Sequence, residues 1–597
     1  MGGKARIYTG NTFLDKNNNS YNGFINIEFQ DSLNLIPVKL KNFKDMFKLP
    51  MKKEILPYDM YNEENINNRY IDMSICSEYL NPDEYIEYYN NALEWGCVNN
   101  EKIDIIKYSE KYCEMDCLVL KNGYKQFRIW IAEITGLDVM NYCSIASLSL
   151  DYLISKECFN GCYKMSGIPR DFIQNCVIGG RCMTKQNKKW RIKGKINDFD
   201  AVGLYSSAMS RIKGFLMGKP KVIEKHNLNM DFLNSQSGYF IKIYIKENPI
   251  IKRDFPLLSV LKNGIREFTN DIKGEFIYID KISLEDIINY QKLENFDIIS
   301  GYYYDEGHNP KINNVINHLF QARLKAKKEK NEIQEIYKLL MNSCYGKCLL
   351  KPIENETKII QNNKIDEYID KHYNFIKEIT ELEKFSILKE IKTINEHYNN
   401  VSAGVEILSM SKRIMNEVMC LAEDKGLNIY YQDTDSMHID DKDIQILQKE
   451  YNKKYKRELI GKNMGQFHSD FKIKDYDLKE IYAIESIFLG KKSYYDKLEG
   501  ISENNNIING DHIRMKGIPT ESIYHYGEQN NKSISEIYNK LYDDNELWKF
   551  QDNENIDKFD LICGGELVKF KYNKDMSVST VSEFKRTVKF SYEKGNI

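Results

Sequence analysis

Residues 428–440, NIYYQDTDSMHID, place two aspartates, Asp433 and Asp435, between two stretches that are typical of β-strands. Aspartate is depleted in strands, because its short polar side chain competes for backbone hydrogen bonds. With only Thr434 between them, the two carboxylates project from the same side of a tight hairpin. Like charges at this separation repel, and a hard divalent cation would relieve the repulsion. Taken alone, the pattern also fits an ordinary turn.

A second acidic segment strengthens the metal interpretation. Residues 195–210, KINDFDAVGLYSSAMS, place Asp198 and Asp200 at the end of a basic strand, just before a small-residue turn at Gly203. A Mg²⁺ ion needs several oxygen ligands. We therefore expect one aspartate of this segment to complete the pair at Asp433 and Asp435 in a single metal site.

Residues 318–347 have a helical pattern that ends near Gly346, a residue that commonly terminates helices. At about 100° per residue, Lys327 and Lys338 fall within about 20° of each other, and Asn342 and Tyr345 lie close to the same face. Lysines bind phosphate oxygens and an aromatic ring stacks on a base, so this face indicates a nucleoside triphosphate site. A solvated lysine face is the alternative.

The length and composition describe a multidomain protein. A chain of 597 residues is too long for one core and suggests about three or four domains. With 42% hydrophobic and 29% charged residues, it is neither disordered by composition nor a membrane protein. The net charge of −2 does not by itself indicate a nucleic-acid partner. The 13 cysteines include no C-x-x-C pair, so we expect reduced thiols and no structural metal.

Five motifs resemble those of family B DNA polymerases, and they occur in the family's order between residues 177 and 494. DAVGLYSS resembles motif A (D-x-x-S-L-Y-P-S), KLLMNSCYG is similar to motif B (K-x-x-x-N-S-x-Y-G), and YQDTDS is similar to motif C (Y-x-D-T-D-S). KKSY resembles the K-x-Y motif and VIGGR the Y-x-G-G linker motif. Gly203, Ser206 and Val177 depart from the usual Ser, Pro and Tyr, which puts template handling in question but removes no metal ligand.

The resemblance implies a role for each matching residue. Asp200 and Asp435 would bind two Mg²⁺ ions, for which Mn²⁺ could substitute, and Asp433 would support them. Lys338 would complete the catalytic set by contacting the phosphates. The other residues implied in nucleotide binding are Leu204, Tyr205, Lys327, Asn342, Tyr345 and Gly346. The residues implied in DNA binding are Gly179, Gly180, Tyr431, Thr434, Lys492 and Tyr494.

The N-terminal region resembles part of a proofreading exonuclease. Ser32 and Leu33 are similar to a motif that binds single-stranded primer ends, and Tyr112 and Asp116 fit the third exonuclease motif, Y-x-x-x-D, on a helix. Residues 1–116 contain no D-x-E, and the nearest match, at residues 26–28, has Asn in place of the first acid. We expect the chain to begin downstream of the first two exonuclease motifs and to lack proofreading.

The fold class implied by the resemblance is α+β and multidomain. It is a right-hand polymerase, with a palm of antiparallel sheet, helical fingers and a thumb, preceded by a truncated RNase H-like 3′–5′ exonuclease domain. The expected segments are: exonuclease-like domain, 1–165; linker and palm with motif A, 166–211; palm insertion and candidate terminal-protein region, 212–308; fingers, 309–349; second insertion, 350–400, charged and helical; palm with motif C and K-x-Y, 401–513; thumb and tail, 514–597.

The two insertions match the protein-primed group of the family, whose members start synthesis on a hydroxyl of a terminal protein. The expected partners are a DNA primer-template, dNTPs and a terminal protein, with no membrane, and the expected state is a monomer. With no signal peptide or apolar span in the sequence, we expect the protein inside a virus-infected cell or an organelle. A decayed copy that binds DNA without catalysis is an alternative. A carbohydrate-cleaving enzyme with paired carboxylates explains neither the lysine face nor the K-x-Y segment.

Overall fold

The computed structural model describes residues 3–14, 20–262, 264–351, 354–474, 476–516, 520–529, 531–543, 558–563, 566–572, 577–580 and 587–589. The α-helices in this part of the chain are α1 (Phe43–Phe47), α2 (Glu63–Ile66), α3 (Met73–Glu78), α4 (Pro82–Glu94), α5 (Ile105–Thr135), α6 (Ile145–Ser155), α7 (Gly167–Gln174), α8 (Leu204–Arg211), α9 (Met230–Asn234), α10 (Lys281–Gln291), α11 (Lys311–Lys328), α12 (Ile333–Ser343), α13 (Ile365–His372), α14 (Val401–Asp424), α15 (Asp441–Tyr455), α16 (Thr520–Gln529) and α17 (Ile534–Asp543).

The strands in the same part of the chain are β1 (Gly3–Leu14), β2 (Ser20–Phe29), β3 (Tyr70–Asp72), β4 (Val98–Asn99), β5 (Lys102–Asp104), β6 (Cys182–Thr184), β7 (Trp190–Ala201), β8 (Phe215–Leu216), β9 (Lys221–Val222), β10 (Gly238–Ile245), β11 (Ser259–Lys262), β12 (Ile265–Phe268), β13 (Phe276–Asp280), β14 (Phe296–Tyr304), β15 (His308–Asn309), β16 (Asn355–Gln361), β17 (Ile376–Glu381), β18 (Phe385–Ile391), β19 (Ile429–Asp433), β20 (Ser436–Asp440), β21 (Phe467–Ser469), β22 (Glu480–Gly490), β23 (Ser493–Ile501), β24 (Ile507–Met515), β25 (Lys558–Cys563), β26 (Glu566–Tyr572), β27 (Ser577–Thr580) and β28 (Thr587–Lys589).

The chain divides into two compact units. The first contains Met1–Lys156 and His318–Lys347, and the second contains Glu157–Asn317 and Cys348–Ile597. The first unit is built around the 31-residue helix α5, which ends at Gly136 in the left-handed conformation (φ 74°) that glycine adopts without steric cost. Its core includes Phe43, Phe47, Val119, Phe127, Ile336 and Leu340, so α12 packs into the same core as α1 and α5.

An eight-stranded antiparallel sheet organises the second unit. Its order is β24-β23-β22-β7-β20-β19-β6, with β21 also paired to β7. The first half of β7 pairs with β22 and the second half with β20, which brings the acidic end of β7 beside the β19–β20 hairpin. Apolar side chains from several of these strands share one core, which includes Ile196, Tyr431, Phe488, Tyr494 and Leu498.

Helix α14 lies in the interior of the second unit, packed against α8 and α10. Most of its 24 residues are buried, including the polar residues Ser409, Asn416 and Glu417 as well as apolar ones. Among the described residues, no helix, α14 included, combines the length and apolar character that crossing a membrane requires.

The segment 212–308 holds a hydrophobic core of its own. Strands β13, β10, β14 and β9 form an antiparallel sheet in that order, and α10 packs against it. The buried residues of this core include Leu233, Ile241, Ile243, Ile277, Leu284 and Ile287.

The expectation that residues 350–400 are mainly helical is wrong. The described residues of this segment form a three-stranded antiparallel sheet, β16-β18-β17, together with the short helix α13 and three 3-10 turns. Burial alternates along β18 with the two-residue period of a strand, Ser386 and Leu388 being buried and Ile387 less so. The high charge of the segment was compatible with either structure, and the residues buried along β18, Ser386, Leu388 and Glu390, include only one apolar side chain, so hydrophobic periodicity in the sequence did not distinguish strand from helix.

The expectation of one helix over residues 318–347 is also wrong. The segment forms the end of α11 and the whole of α12, with Lys330 in the left-handed conformation (φ 53°) between them. The Asn331 side chain accepts a hydrogen bond from the Ile333 N–H over 3.1 Å, which stabilises the turn that precedes α12. Lys327 and Lys338 therefore lie on different helices, and the angle calculated for a continuous helix does not apply to them.

Candidate active site

The hairpin between β19 and β20 positions Asp433 and Asp435. Asp433 pairs with Ser436 across the turn, and the Asp435 N–H donates to the Asp433 carbonyl over 2.7 Å. Thr434 has a φ of 64°, which is rare for a β-branched residue and costs about 1–3 kcal/mol. Its N–H donates to the Arg181 carbonyl over 2.9 Å, and this bond helps to hold the strained turn.

The predicted linker glycines differ in their packing. A Cβ on Gly180 would lie 2.4 Å from Thr434 Cγ2, whereas a Cβ on Gly179 would meet no atom within 4 Å. The buried Arg181 donates to Gln432 Oε1 over 2.5 Å and to the carbonyl of Phe255 over 3.0 Å. Gly180 is therefore needed for close packing against the acidic turn. Its contact with DNA stays a prediction.

Asp200 lies opposite Ser436 in the pairing of β7 with β20, and the neighbouring Ala201 N–H donates to the Asp435 carbonyl over 2.8 Å. Burial, together with the charges of Asp435 and Asp198, raises the pKa of Asp200 to about 8. Burial also raises the pKa of Asp435, and Asp433 and Asp198 add to the effect. An all-oxygen set of mutually repelling carboxylates is the donor chemistry that fits Mg²⁺ or Mn²⁺.

Asp433 forms an ion pair with Lys492, whose Nζ lies 2.9 and 3.1 Å from the two carboxylate oxygens. The Lys492 N–H donates to the Tyr431 hydroxyl over 2.8 Å. Tyr431 is fully buried, and its ring centroid lies 5.0 Å from that of Tyr494, which is 5% exposed. Tyr431 thus supports Lys492 from within the core and has no exposed surface to offer DNA in this structure.

A cleft of about 720 Å³ opens at the acidic turn. Its lining includes the predicted residues Asp433, Thr434, Asp435, Tyr205, Lys492 and Tyr494, together with Asp198, Asp470, His512 and Arg514, which the motif comparison did not single out. Tyr205 stands in the first turn of α8, whereas Leu204 beside it is buried. Gly203, which departs from the serine usual in motif A, has a φ of 56° before this helix, a conformation that favours glycine.

Helix α12 carries the motif B residues in the first unit. Lys338 and Asn342 are one helical turn apart and both line a cleft of about 480 Å³. The other side of the helix buries Ile336 and Leu340 in the core. Tyr345 and Gly346 follow the end of α12, and Lys327 lies near the end of α11. The nucleotide-binding role of these residues stays a prediction.

The predicted exonuclease residues Tyr112 and Asp116 lie on α5, as the sequence indicated. The Lys53 Nζ lies 2.8 Å from Asp116 Oδ2 and also contacts the Tyr112 hydroxyl. Lys53 was missed because it is 63 residues from Asp116, and no local pattern joins the two. Ser32 and Leu33 lie in a 3-10 turn that Asp31 caps, accepting from the Leu33 N–H over 3.0 Å.

Sequence comparison also finds DNA polymerases among the proteins that are similar to this chain. The chain is 24% identical over 492 residues to a "Probable DNA polymerase" of Ascobolus immersus, covering 79% of this chain and 37% of that protein. It is 27% identical over 503 residues to a "Probable DNA polymerase" of Neurospora intermedia, covering 79% of this chain and 47% of that protein. The chain therefore spans less than half the length of these two relatives.

The fold matches a solved structure of Phi29 DNA polymerase complexed with primer-template DNA and incoming nucleotide substrates. The TM-score is 0.56 at 16% identity, covering 94% of this chain and 81% of that chain. The fold is therefore the right-hand fold of family B polymerases, with mixed helices and antiparallel sheets. Residues 4–423, most of the chain, match the profile described as DNA polymerase type B, organellar and viral, and the chain belongs to that family.

Proposed function

We propose that this chain synthesises DNA on a template by adding deoxynucleotides to a primer end, and that two divalent cations act at Asp200 and Asp435. The observation that carries the proposal is the meeting of β7 with the β19–β20 hairpin. In this pairing Asp200 lies opposite Ser436, next to the turn that carries Asp433 and Asp435, and burial together with the charges of Asp435 and Asp198 raises the pKa of Asp200 to about 8. Without a bound cation, the repulsion between these carboxylates would only destabilise the folded protein.

The chain's own residues have distinct parts in the proposed reaction. When bound, Mg²⁺ or Mn²⁺ would supply activation of the primer hydroxyl and neutralisation of the triphosphate. Lys492 neutralises Asp433 and keeps it at the edge of the site. Tyr205 packs beneath the deoxyribose and excludes a ribose hydroxyl. Lys338 binds the phosphates, while Asn342 and Tyr345 line the nascent base pair.

We also propose that synthesis can start on a hydroxyl of a terminal protein, in the replication of a viral or mobile linear DNA. Two segments that lie between the motifs in the sequence support this proposal: residues 212–308, which have a core of their own, and residues 355–391, which form a separate sheet. On this proposal the protein works as a monomer inside an infected cell or an organelle.

We expect these 597 residues not to proofread. A two-metal exonuclease site needs several carboxylates. Among the described residues, Asp116 pairs with Lys53 through Oδ2, and its buried Oδ1 has no hydrogen-bond partner. A metal-dependent shortening of a mismatched labelled primer, lost on Asp116→Ala, would contradict this expectation.

One assay tests synthesis and priming together. Labelled dNTP and Mg²⁺ are supplied with a primed template, with an unprimed linear template, and with the unprimed template plus candidate priming proteins. We expect incorporation on the primed template and labelled protein in the third reaction. A chain that shifts the primed template on a gel but adds no nucleotide would instead be a decayed copy.

A further inference from the structure

We propose that His438, Asp496 and His512 form a binding site for a divalent transition-metal ion, with Zn²⁺ as the best-suited ion. The three side chains come from β20, β23 and β24 of the large sheet, and their ligand atoms all lie within 4.8 Å of one another. This inference does not depend on the proposed function, because it rests on a different set of donors.

The separations between ligand atoms are close to those around a bound ion. His438 Nε2 and His512 Nδ1 each lie 3.1 Å from the same oxygen, Asp496 Oδ2. Ligand atoms around a tetrahedral zinc ion, with bonds of about 2.0–2.1 Å, are about 3.3 Å apart. The two histidine nitrogens lie within 4.8 Å of each other, so an ion that replaced the two hydrogen bonds to Asp496 could contact all three side chains.

The surrounding groups orient these ligands as they do in known metal sites. Ser486 Oγ donates to the second Asp496 oxygen, Oδ1, over 2.6 Å. On the far side of the His438 ring, Nδ1 lies 3.8 Å from Asp198 Oδ1. Both His438 Nδ1 and Asp198 Oδ1 are buried, and neither atom has a hydrogen-bond partner among the described residues. A histidine bound to a metal through one nitrogen usually directs its other N–H at a carboxylate, and Asp198 is placed to receive it.

The electrostatics of the site also favour a cation. The side chains of His438 and Asp496 are fully buried, and a buried charge needs a close partner of opposite sign. Burial alone would raise the pKa of Asp496, yet His438 and His512 lower it well below its ordinary value. The site therefore holds Asp496 as a charged carboxylate, which is the form that binds a metal ion. Against the effect of burial, Asp496 and Asp198 raise the pKa of His438, so a bound ion would have to displace the proton of that imidazole.

The ligand chemistry distinguishes this site from the carboxylates at the acidic turn. Two imidazoles and one carboxylate suit Zn²⁺ and related ions, whereas Mg²⁺ prefers oxygen alone. The His512 side chain is 30% exposed and lines the cleft of about 720 Å³, so an ion has a path of entry. The bound ion would link β23 and β24 to β20, the strand that follows the acidic turn. The search of the sequence for C-x-x-C pairs could not detect this site, because its ligands are two histidines and one aspartate.

Metal analysis of the full chain tests the proposal. Protein stripped with a chelator is incubated with Zn²⁺ in the presence of excess Mg²⁺, which occupies carboxylate sites, and is then desalted for measurement of bound zinc. We expect one Zn²⁺ per chain for the unmodified protein and for His226→Ala, which alters an exposed histidine paired with Glu224. We expect His512→Ala to bind at least about tenfold more weakly, and His512→Asp, which keeps a ligand, to retain more zinc than His512→Ala.

Two further measurements separate loss of the site from loss of the fold. Far-UV circular dichroism must show that His512→Ala is folded, and Zn²⁺ should raise the Tm of the unmodified protein but not that of this variant. Co²⁺ in place of Zn²⁺ should give the visible absorption of a low-coordinate nitrogen and oxygen site. The proposal is overturned if the folded, unmodified chain retains no zinc, or if Asp200→Asn removes the zinc and His512→Ala does not.

Discussion

Thr434 adopts a strained backbone conformation at the centre of the acidic turn, and its neighbours hold it there. The Arg181 carbonyl accepts from the Thr434 N–H, and Gly180 leaves room for the Thr434 methyl group. The sequence predicted the turn and its two carboxylates from the Asp-Thr-Asp pattern. It could not predict the contact with Gly180, because that contact joins segments about 250 residues apart that only the sheet brings together.

Replacing Gly180 should disturb this turn. We expect Gly180→Ala to lower the free energy of unfolding by about 1–3 kcal/mol, because the added methyl overpacks against Thr434. Gly179→Ala is the matched control, since its Cβ meets no atom within 4 Å, and it should leave stability within about 0.5 kcal/mol. Denaturant unfolding of the two variants measures the difference, and equal stabilities would contradict this account of Gly180.

Removing the charge of Asp200 should stabilise the metal-free protein. The pKa of Asp200 rises from 3.8 to about 8 on folding, so the folded state holds this proton more tightly than the unfolded state. Metal-free stability should therefore fall as the pH rises from about 4 to about 8. At pH 8 in chelator, we expect Asp200→Asn to raise the Tm by a few degrees.

The pH and the metal supply the controls for this prediction. The gain from Asp200→Asn should shrink at pH 5, where Asp200 of the unmodified chain is protonated. Mg²⁺ at pH 8 should raise the Tm of the unmodified chain more than that of the variant. A variant that is less stable than the unmodified chain at pH 8 in chelator would show that Asp200 is not under repulsion.

At the scale of elements, the sheet of residues 355–391 is an insertion whose two ends lie next to each other. Its first and last residues, Asn355 and Ile391, face each other across the β16–β18 pairing, and the Lys392 N–H donates to the Glu354 carbonyl over 2.9 Å. The sequence indicated an insertion here but not its structure, because charged residues populate exposed helices and exposed strands alike.

Because the two ends of this sheet lie next to each other, residues 355–391 can be deleted without moving the flanking residues apart. Replacing residues 355–391 with a two-residue Asn-Gly turn should keep the flanking chain in place. We expect extension of a DNA primer by the variant to stay within about threefold of the unmodified chain, and protein-primed initiation to be lost. Both reactions can be followed with labelled dNTP. Loss of primer extension in a folded variant would show that this sheet belongs to the catalytic unit.

Helix α12 carries a second element-scale prediction. Lys338 lines a cleft on the side of α12 opposite the core residues Ile336 and Leu340. We expect Lys338→Ala to lower kcat/KM for dNTP about 100-fold, because a cation that stabilises phosphate charge is lost. Lys328→Ala, which alters an exposed lysine at the end of α11, should change kcat/KM less than twofold. Equal effects of the two substitutions would argue against a phosphate-binding role for Lys338.

At the scale of the whole molecule, the order of five short motifs predicted the family and the right-hand fold, both of which the comparisons confirm. The motifs could not predict how strands pair over long separations. The placement of Asp198, Lys53 and His512 beside other functional groups depends on those pairings and on packing. Local helix propensity also failed to predict the break between α11 and α12, because good helix formers lie on both sides of Lys330, which has a φ of 53°.

In the proposed reaction, the carboxylates at the acidic turn bind the cations that catalyse nucleotide addition. Strand β20 offers a matched pair of substitutions, because Asp435 immediately precedes it and Asp440, which accepts from the Tyr430 hydroxyl over 3.3 Å, ends it. The most direct measurement is the rate of primer extension with Mg²⁺ and saturating dNTP for the unmodified chain, Asp435→Asn and Asp440→Asn, each checked for primer-template binding. We predict extension by the unmodified chain and by Asp440→Asn, and a loss of about 10³-fold or more for Asp435→Asn with DNA binding retained. Extension by Asp435→Asn at the unmodified rate, or no extension by a DNA-binding unmodified chain, would contradict the account.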